Sequence, residues 1–416
     1  MFDLMKKLPL LIIVAAGLVA GCFHPQRNLP EGPWLGVIRI DSTVTDMDLP
    51  FNMVYEKNPE IEAFYVTNAG ETIMITEIDR VDDSLFLKFP VFTSEIAAVF
   101  RNDSLVGKYF PKGREKGTAY AFYAVPGIGD RFPWSPEPAV VNVTGRWRVI
   151  ENPGQADSSE MVGEFTQDGN CVTGTFLNPT GDYRYLEGKV SGNRFFLSRI
   201  DGAHTQILDA VITPGGTMEN GRFMGSPSWK SSWRAIRDEN AAIPGSRELL
   251  RVKQDARPFT FSFPDINGDT VSLSDPRFRD KVVIVQAVGT WCQNCLDEAV
   301  FYRDIYPEYK DKGLEIVALS FEEKTLDASI PRMKRFISQT GAAYTFLYAG
   351  PRGRESIRSV LYPLEGVIAY PTTLFIDRHG RIRKAETGFS GPGTGEHYDR
   401  YVDETTRFIN ELLGER

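Results

Sequence analysis

The sequence predicts a multidomain chain: an antiparallel all-β, barrel-like front region followed by an α/β back region. Three observations carry this. From residue 33 to 236, short apolar or alternating runs are broken by Gly, Asn, Asp and Pro, the pattern of many short strands. After residue 257, continuous apolar runs such as Val282 to Val288 alternate with stretches of helical spacing, as in α/β units. And 416 residues are too many for one ordinary core, so two or three domains are expected.

The first residues read as a segment outside the fold. Lys6 and Lys7 precede an apolar run, Leu8 to Ala20, which ends Leu18-Val19-Ala20-Gly21-Cys22. A basic start, a short apolar core and small residues before a cut describe an export signal over residues 1–21. The run is shorter than the roughly 20 apolar residues that a membrane span needs. Its ending resembles the lipobox of bacterial lipoproteins. That resemblance implies cleavage before Cys22, lipid on its thiol and a chain tethered to the bilayer rather than spanning it. Phe23, not Asp, follows the cysteine; by resemblance to Gram-negative sorting rules this implies the outer membrane, facing the periplasm. The alternative is a plain secretory signal, and both place the chain in an extracytoplasmic compartment. Residues 22–32 read as a short tether.

Between 33 and 236 the expected strands are Trp34–Ile40, Glu62–Thr67, Thr72–Ile78, Ser84–Phe89, Glu95–Phe100, Leu105–Tyr109 and Ala119–Val125, on period-two alternation and β-branched and aromatic content. The region then starts again. Trp147-Arg148-Val149-Ile150 parallels Trp34-Leu35-Gly36-Val37, and 190–197 and 216–223 parallel 81–87 and 103–110. This is the mark of a weak internal duplication, 33–126 against 140–236. Two small barrels or one larger barrel satisfy the pattern equally, since both close exposed edges. No catalytic set stands out here. Cys171, at the start of a strand, reads as a buried thiol acting as a small hydrophobe, and His204 as a structural hydrogen-bonding group. The region is either a spacer or a module that docks a client near the site described next. Residues 237–257, charged and marked by Pro and Gly, read as a linker.

In 258–416 the expected elements are a hairpin around Asn267-Gly268, a central strand Val282–Val288, a helix after it, a strand Leu314–Ser320, a helix Ile330–Gln339, a short strand Tyr344–Tyr348, and a helical piece over Ser356–Tyr362. A strand pair, Thr372–Asp377 and Arg381–Glu386, precedes a closing helix marked by Tyr401, Thr405, Phe408, Ile409 and Leu412. Trp291-Cys292-Gln293-Asn294-Cys295 sits at the junction of the central strand and its helix. There Cys292 meets the unpaired N–H groups and dipole of a helix start, which favour a thiolate. Cys295, one turn on, is placed to attack a mixed disulfide at Cys292. Zinc needs about four ligands. Cys22 and Cys171 stand alone, and His24, His204, His379 and His397 lack ligand-like spacing, so no metal is expected.

From about residue 256 onward the chain resembles the TlpA/ResA-like thiol–disulfide oxidoreductases of the thioredoxin superfamily. The residues that carry the resemblance are Phe263-Pro264-Asp265 with Asn267-Gly268, Val271-Ser272-Leu273, Gly289-Thr290-Trp291-Cys292-x-x-Cys295, Glu298, and Tyr370-Pro371-Thr372-Thr373 with Ile376-Asp377 and Gly380. The resemblance implies a C-terminal thioredoxin-like fold and a redox-active disulfide between Cys292, exposed and nucleophilic, and Cys295, resolving. It implies Glu298 as acid/base on Cys295, Pro371 as a cis-proline, and a client-binding loop of Tyr370, Pro371 and Thr372 beside Trp291. There are departures. Asn294 stands where many members have proline, and Gln286 where thioredoxins proper have a buried Asp, so acid–base duty falls on Glu298 or water. The expected partners are extracytoplasmic disulfide-containing proteins, a thiol electron donor and, through Cys22, a lipid bilayer. No bound cofactor is needed, because the electrons reside in sulfur. A net charge of −8 with no basic tract argues against nucleic acid. The competing readings are a peroxiredoxin-like peroxidase and a non-catalytic binding lipoprotein. Direction of electron flow is open.

Overall fold

A computed structural model of the chain describes residues 28–114, 117–135, 137–255 and 257–415. The expected signal, the lipidation residue Cys22 and most of the tether lie outside the described residues. No helix among the described residues is long and apolar enough to cross a membrane.

The first nine strands are β1 (Gly32–Arg39), β2 (Leu49–Lys57), β3 (Glu62–Asn68), β4 (Glu71–Ile75), β5 (Glu77–Val81), β6 (Ser84–Lys88), β7 (Glu95–Arg101), β8 (Ser104–Phe110) and β9 (Tyr120–Pro126). They pair antiparallel in the order β4-β3-β2-β1-β9-β8-β7-β6-β5. The next nine are β10 (Gly145–Glu151), β11 (Ser159–Asp168), β12 (Cys171–Asn178), β13 (Gly181–Asp182), β14 (Leu186–Ser191), β15 (Arg194–Ile200), β16 (Thr205–Ile212), β17 (Thr217–Ser226) and β18 (Trp229–Arg237). Adding nine to every strand number of the first sheet reproduces the pairings of the second. The second also pairs β12 with β14 and so closes a ring. In the first sheet the matching gap is bridged by side chains: Arg80 on β5 donates to Glu62 on β3 and, at 3.3 Å, to the Tyr55 hydroxyl on β2.

Each barrel fills its interior with its own apolar cluster. Trp34 and Trp147, both fully buried, open the two barrels alike. Each indole Nε1 donates, at 2.9 Å, to the carbonyl four residues back, Pro30 and Val143. Ile200, Ile207 and Met224 of the second barrel join the cluster of the first, so the barrels share a packed face. Between one larger barrel and two small ones, the chain builds two.

Three expectations need correction. The run Thr72–Ile78 is broken at Thr76 into β4 and β5. The strand β2 was not expected, because Pro50 and Asn52 disguise it. Its Leu49, Phe51, Met53 and Tyr55 are nonetheless all buried on one face, and Pro50 pairs opposite Val37 within the sheet. Cys171 is exposed, not buried; it begins β12 beside the turn at Gly169, where no core surrounds it.

The expected linker is anchored at both ends. Ala241 packs with Val162 and Leu177 of the second barrel. A short helix α1 (Ser246–Leu249) leads to β19 (Leu250–Val252), which pairs with β25 (Leu364–Gly366) of the back domain. That domain starts with the hairpin β20 (Ser262–Pro264) and β21 (Thr270–Ser272), where Gly268 takes a φ of 91° in the turn. Then come β22 (Val282–Val288), α2 (Gln293–Lys310), β23 (Leu314–Glu322), α3 (Leu326–Thr340), β24 (Thr345–Pro351) and α4 (Arg354–Val360). After β25 follow β26 (Thr372–Ile376), β27 (Ile382–Thr387) and α5 (Glu396–Gly414).

The five-stranded sheet runs β24-β23-β22-β26-β27, with β22, β23 and β24 parallel and β26 and β27 antiparallel. This is the thioredoxin-like arrangement. β22 is buried on both faces. Val282 and Ile284 pack with α2 and α5, while Val283, Val285 and Ala287 face the hairpin and α4. The alternation of side chains along a strand therefore puts Gln286 on the α2 face.

Candidate functional site

The dithiol lies where β22 hands over to α2. Cys292 is the N-cap of α2, its sulfur accepting from the Cys295 N–H at 3.2 Å, and a disulfide joins the two cysteines. Cys295 is fully buried. Cys292 is only 7 % exposed, which corrects the expectation of an exposed nucleophile: the loops around it leave a narrow opening. Trp291 closes one side. Its Nε1 donates to the Phe321 carbonyl at 2.8 Å, its ring meets that of Tyr370 edge-on at 5.1 Å, and Arg352 lies 4.0 Å over its face. Gly289 allows this, since a Cβ there would come within 2.4 Å of the indole.

The Tyr370–Pro371 bond is cis, and the Tyr370 carbonyl lies 3.6 Å from Cys292 Sγ. Thr372 does not face outward. It is fully buried, and its hydroxyl donates to the Ala369 carbonyl at 2.7 Å and lies within hydrogen-bond distance, 3.1 Å, of Thr387 Oγ1. It holds the loop in shape rather than touching a client.

Glu298 lies one turn beyond Cys295 on α2 and is 1 % exposed. Three donors reach its carboxylate: Gln286 Nε2 at 2.6 Å, Thr373 Oγ1 at 2.8 Å and the Tyr401 hydroxyl at 3.4 Å. Burial lifts its pKa to about 7, with the charge of Glu386 adding to the rise and the hydrogen bonds opposing it. A carboxyl so placed exchanges a proton near neutral pH. Thr290 spends its N–H and hydroxyl on Glu322, at 3.0 and 2.7 Å.

The second barrel reaches this helix directly, through contacts that sequence reasoning missed. Asn294, the residue before Cys295, donates to Asp182 at 3.3 Å and to the Phe389 carbonyl at 3.1 Å. Gln293 accepts from Arg199 and, at 2.9 Å, from His204 Nδ1. Asp297 takes two hydrogen bonds from Arg184, at 2.8 and 2.9 Å. Arg184 also pairs with Glu71 of the first barrel at 2.7 Å and with Asp201 at 3.1 Å. Burial disfavours the Arg184 charge, but Asp297, Glu71 and Asp201 outweigh it and hold the guanidinium firmly protonated. Burial also lowers the pKa of His204, against the pull of Asp201, and the contact with the Gln293 carbonyl oxygen needs a proton on Nδ1. In sequence, these residues are scattered single polar positions, some in strands (Glu71, Asp182, Arg199) and some in connections (Arg184, Asp201, His204), and no local pattern says what covers them.

Comparison with known proteins bears on residues 252–401, which match the Redoxin family model. The thiol-disulfide oxidoreductase ResA of Bacillus thuringiensis subsp. konkukian (strain 97-27) is 30% identical over 159 residues, covering 38% of this chain and 81% of the relative. ResA of Halalkalibacterium halodurans is 29% identical over 142 residues, covering 34% and 72%. Among solved structures, a thiol:disulfide interchange protein of the thioredoxin family from Chlorobium tepidum TLS aligns with a TM-score of 0.30 and 22% identity. It covers 38% of this chain and 99% of that one.

Proposed function

For a chain that belongs to the ResA-type thiol–disulfide oxidoreductases, and so is a protein-disulfide oxidoreductase, we propose the following division of labour. Cys292 is the nucleophile, Cys295 the resolving thiol and Glu298 the base that serves Cys295. In the reduced enzyme the Cys292 thiolate attacks one sulfur of a client disulfide. The client S–S bond breaks, and its second sulfur leaves as a thiolate that picks up a proton. Cys295 then gives its proton to Glu298 and attacks Cys292 Sγ. The mixed disulfide breaks, the client's remaining sulfur leaves as a thiolate and takes up a proton, and the enzyme, having passed two electrons to the client, is left with the Cys292–Cys295 disulfide. A thiol donor reverses these steps to restore the dithiol.

One observation carries the reading: a disulfide capping a helix, with a buried carboxyl poised near pH 7 one turn further on. Trp291, Tyr370 and Pro371 line the approach to Cys292, and Thr372 supports them. The leader over 1–21 supports export and a lipid anchor on Cys22 at the outer membrane. Reduction of extracytoplasmic clients is the direction proposed.

The test is capture. In a Cys295→Ala chain the second step is blocked, so clients should accumulate as mixed disulfides through Cys292 and be released by added thiol. A Cys295→Ala protein that never forms such an adduct, beside a wild type that reduces no disulfide, would sink the proposal.

A further inference from the structure

A cavity of about 720 Å³ opens where the two barrels and the redox domain meet. One chain neighbour of Cys292 belongs to its walls, and the other backs them. Trp291 lines it directly, and Gln293 lies behind His204, which lines it from the second barrel. The cleft therefore lies next to Cys292 across Trp291, within reach of residues that flank a client's disulfide.

The wall chemistry says what those residues are. Trp229, 38% exposed, offers an aromatic face stacked edge-on with His204 at 5.7 Å. Opposite it, three cations from two domains converge on one carboxylate. Glu323 is approached by Arg352 at 3.3 Å, Arg332 at 3.9 Å and Lys112 of the first barrel at 4.0 Å. Among the described residues that line the cleft, Glu323 is the one acid. The nearby Glu322, outside the lining, accepts from Thr290 and, at 2.5 Å, from Ser320, and its charge also acts on Arg332, so three cations face two carboxylates. Arg332 Nε is buried and has no hydrogen-bond partner among the described residues. Cationic charge in excess of its counter-ions, with a guanidinium donor unused, suits an incoming carboxylate. The loop of the first barrel that shapes this wall holds Val91 at a φ of 61°. A β-branched residue adopts that only where its surroundings over-determine it.

We propose that the cleft receives an acidic polypeptide segment flanking the client's disulfide, its carboxylate held by Lys112, Arg332 and Arg352 against the Trp229 wall. The proposal rests on the redox reading above and adds substrate class to it: the β-rich half selects the client.

The experiment uses the full chain and three disulfide peptides that differ only in Glu, Gln or Lys flanking one cysteine, with a small uncharged disulfide as a fourth substrate. Wild type should rank Glu above Gln above Lys in kcat/KM by about fivefold per step at low salt, the scale of an exposed ion pair. The ranking should fade as salt screens it. Lys112→Glu should flatten or invert it. Ser228→Lys, which adds a cation to the exposed rim, should steepen it and keeps the test open if the first variant folds poorly. Equal kcat/KM for the three peptides, or a ranking that neither variant moves, overturns the proposal while activity on the small disulfide leaves the redox reading intact. If wild type fails on the small disulfide, the redox reading falls and the cleft assignment with it. If acidic peptides gain nothing but a small anionic thiol reductant is impaired by Lys112→Glu, the cleft serves the electron donor and the proposal is overturned.

Discussion

Replacing Glu298 with glutamine removes a charge at nearly constant shape, and the structure sets the size of the effect. In the unfolded chain the carboxyl titrates near 4.5, and in the folded chain burial raises that to about 7. Below the first value both states are protonated, and the buried group carries no ionisation penalty. As pH rises the unfolded chain ionises first, so folding is progressively penalised until the folded carboxyl also ionises near 7. The full penalty is about 3 kcal/mol, at about 1.4 kcal/mol per pH step. E298Q lacks it. Its stability relative to wild type should therefore climb by up to about 3 kcal/mol between pH 4.5 and pH 8. A constant offset of about 1 kcal/mol is subtracted, because one acceptor facing Gln286, Thr373 and Tyr401 becomes a donor. Glu386, Tyr302 and Tyr401 also face this site, so the difference reports Glu298 together with its coupling to them. Urea unfolding at four pH values measures it. Activity should move the other way: client release in single turnover should slow by about 10²- to 10⁴-fold, and its rise with pH near 7 should vanish. A stability difference flat with pH, or an unchanged pH profile of release, would refute the reasoning.

Three further outcomes are expected. Arg184→Met strands Asp297 and Glu71 in a buried site, while Asp201 keeps Arg199, so urea unfolding of the full chain should show a loss of about 3–5 kcal/mol; a loss below about 1 kcal/mol would mean water reaches the network. Trp147→Ala should cost a similar 3–5 kcal/mol through the cavity it leaves in the second barrel, again by urea unfolding. Cys171→Ser should shift stability by no more than about 0.5 kcal/mol, and mass mapping should find Cys171 alkylated in the native, oxidised protein, because it is exposed.

The redox domain was legible because its signals are local. A both-face-buried strand reads as a continuous apolar run, a helix start reads from its dithiol, and Glu298 follows Cys295 by one turn. The front half was legible as strands for the same reason, since alternation is a property of neighbouring residues. Its failures are also local in origin. Pro50 and Asn52 masked β2, although Leu49, Phe51, Met53 and Tyr55 kept perfect alternation.

By itself, then, the sequence determined the kind of domain at each end, the sulfur pair and the acid beside it. Only the tertiary structure decided that two barrels rather than one precede the redox domain, that Thr372 turns inward, and that Cys292 is nearly covered. It alone brought Asp182, Arg184, Arg199 and His204 onto the dithiol helix, and Lys112 to Arg332 and Arg352. The reason is physical. Backbone periodicity constrains which way a side chain leaves its own strand or helix. What it meets there depends on how separately formed surfaces pack across 89 or more residues of sequence separation, and no local pattern encodes that.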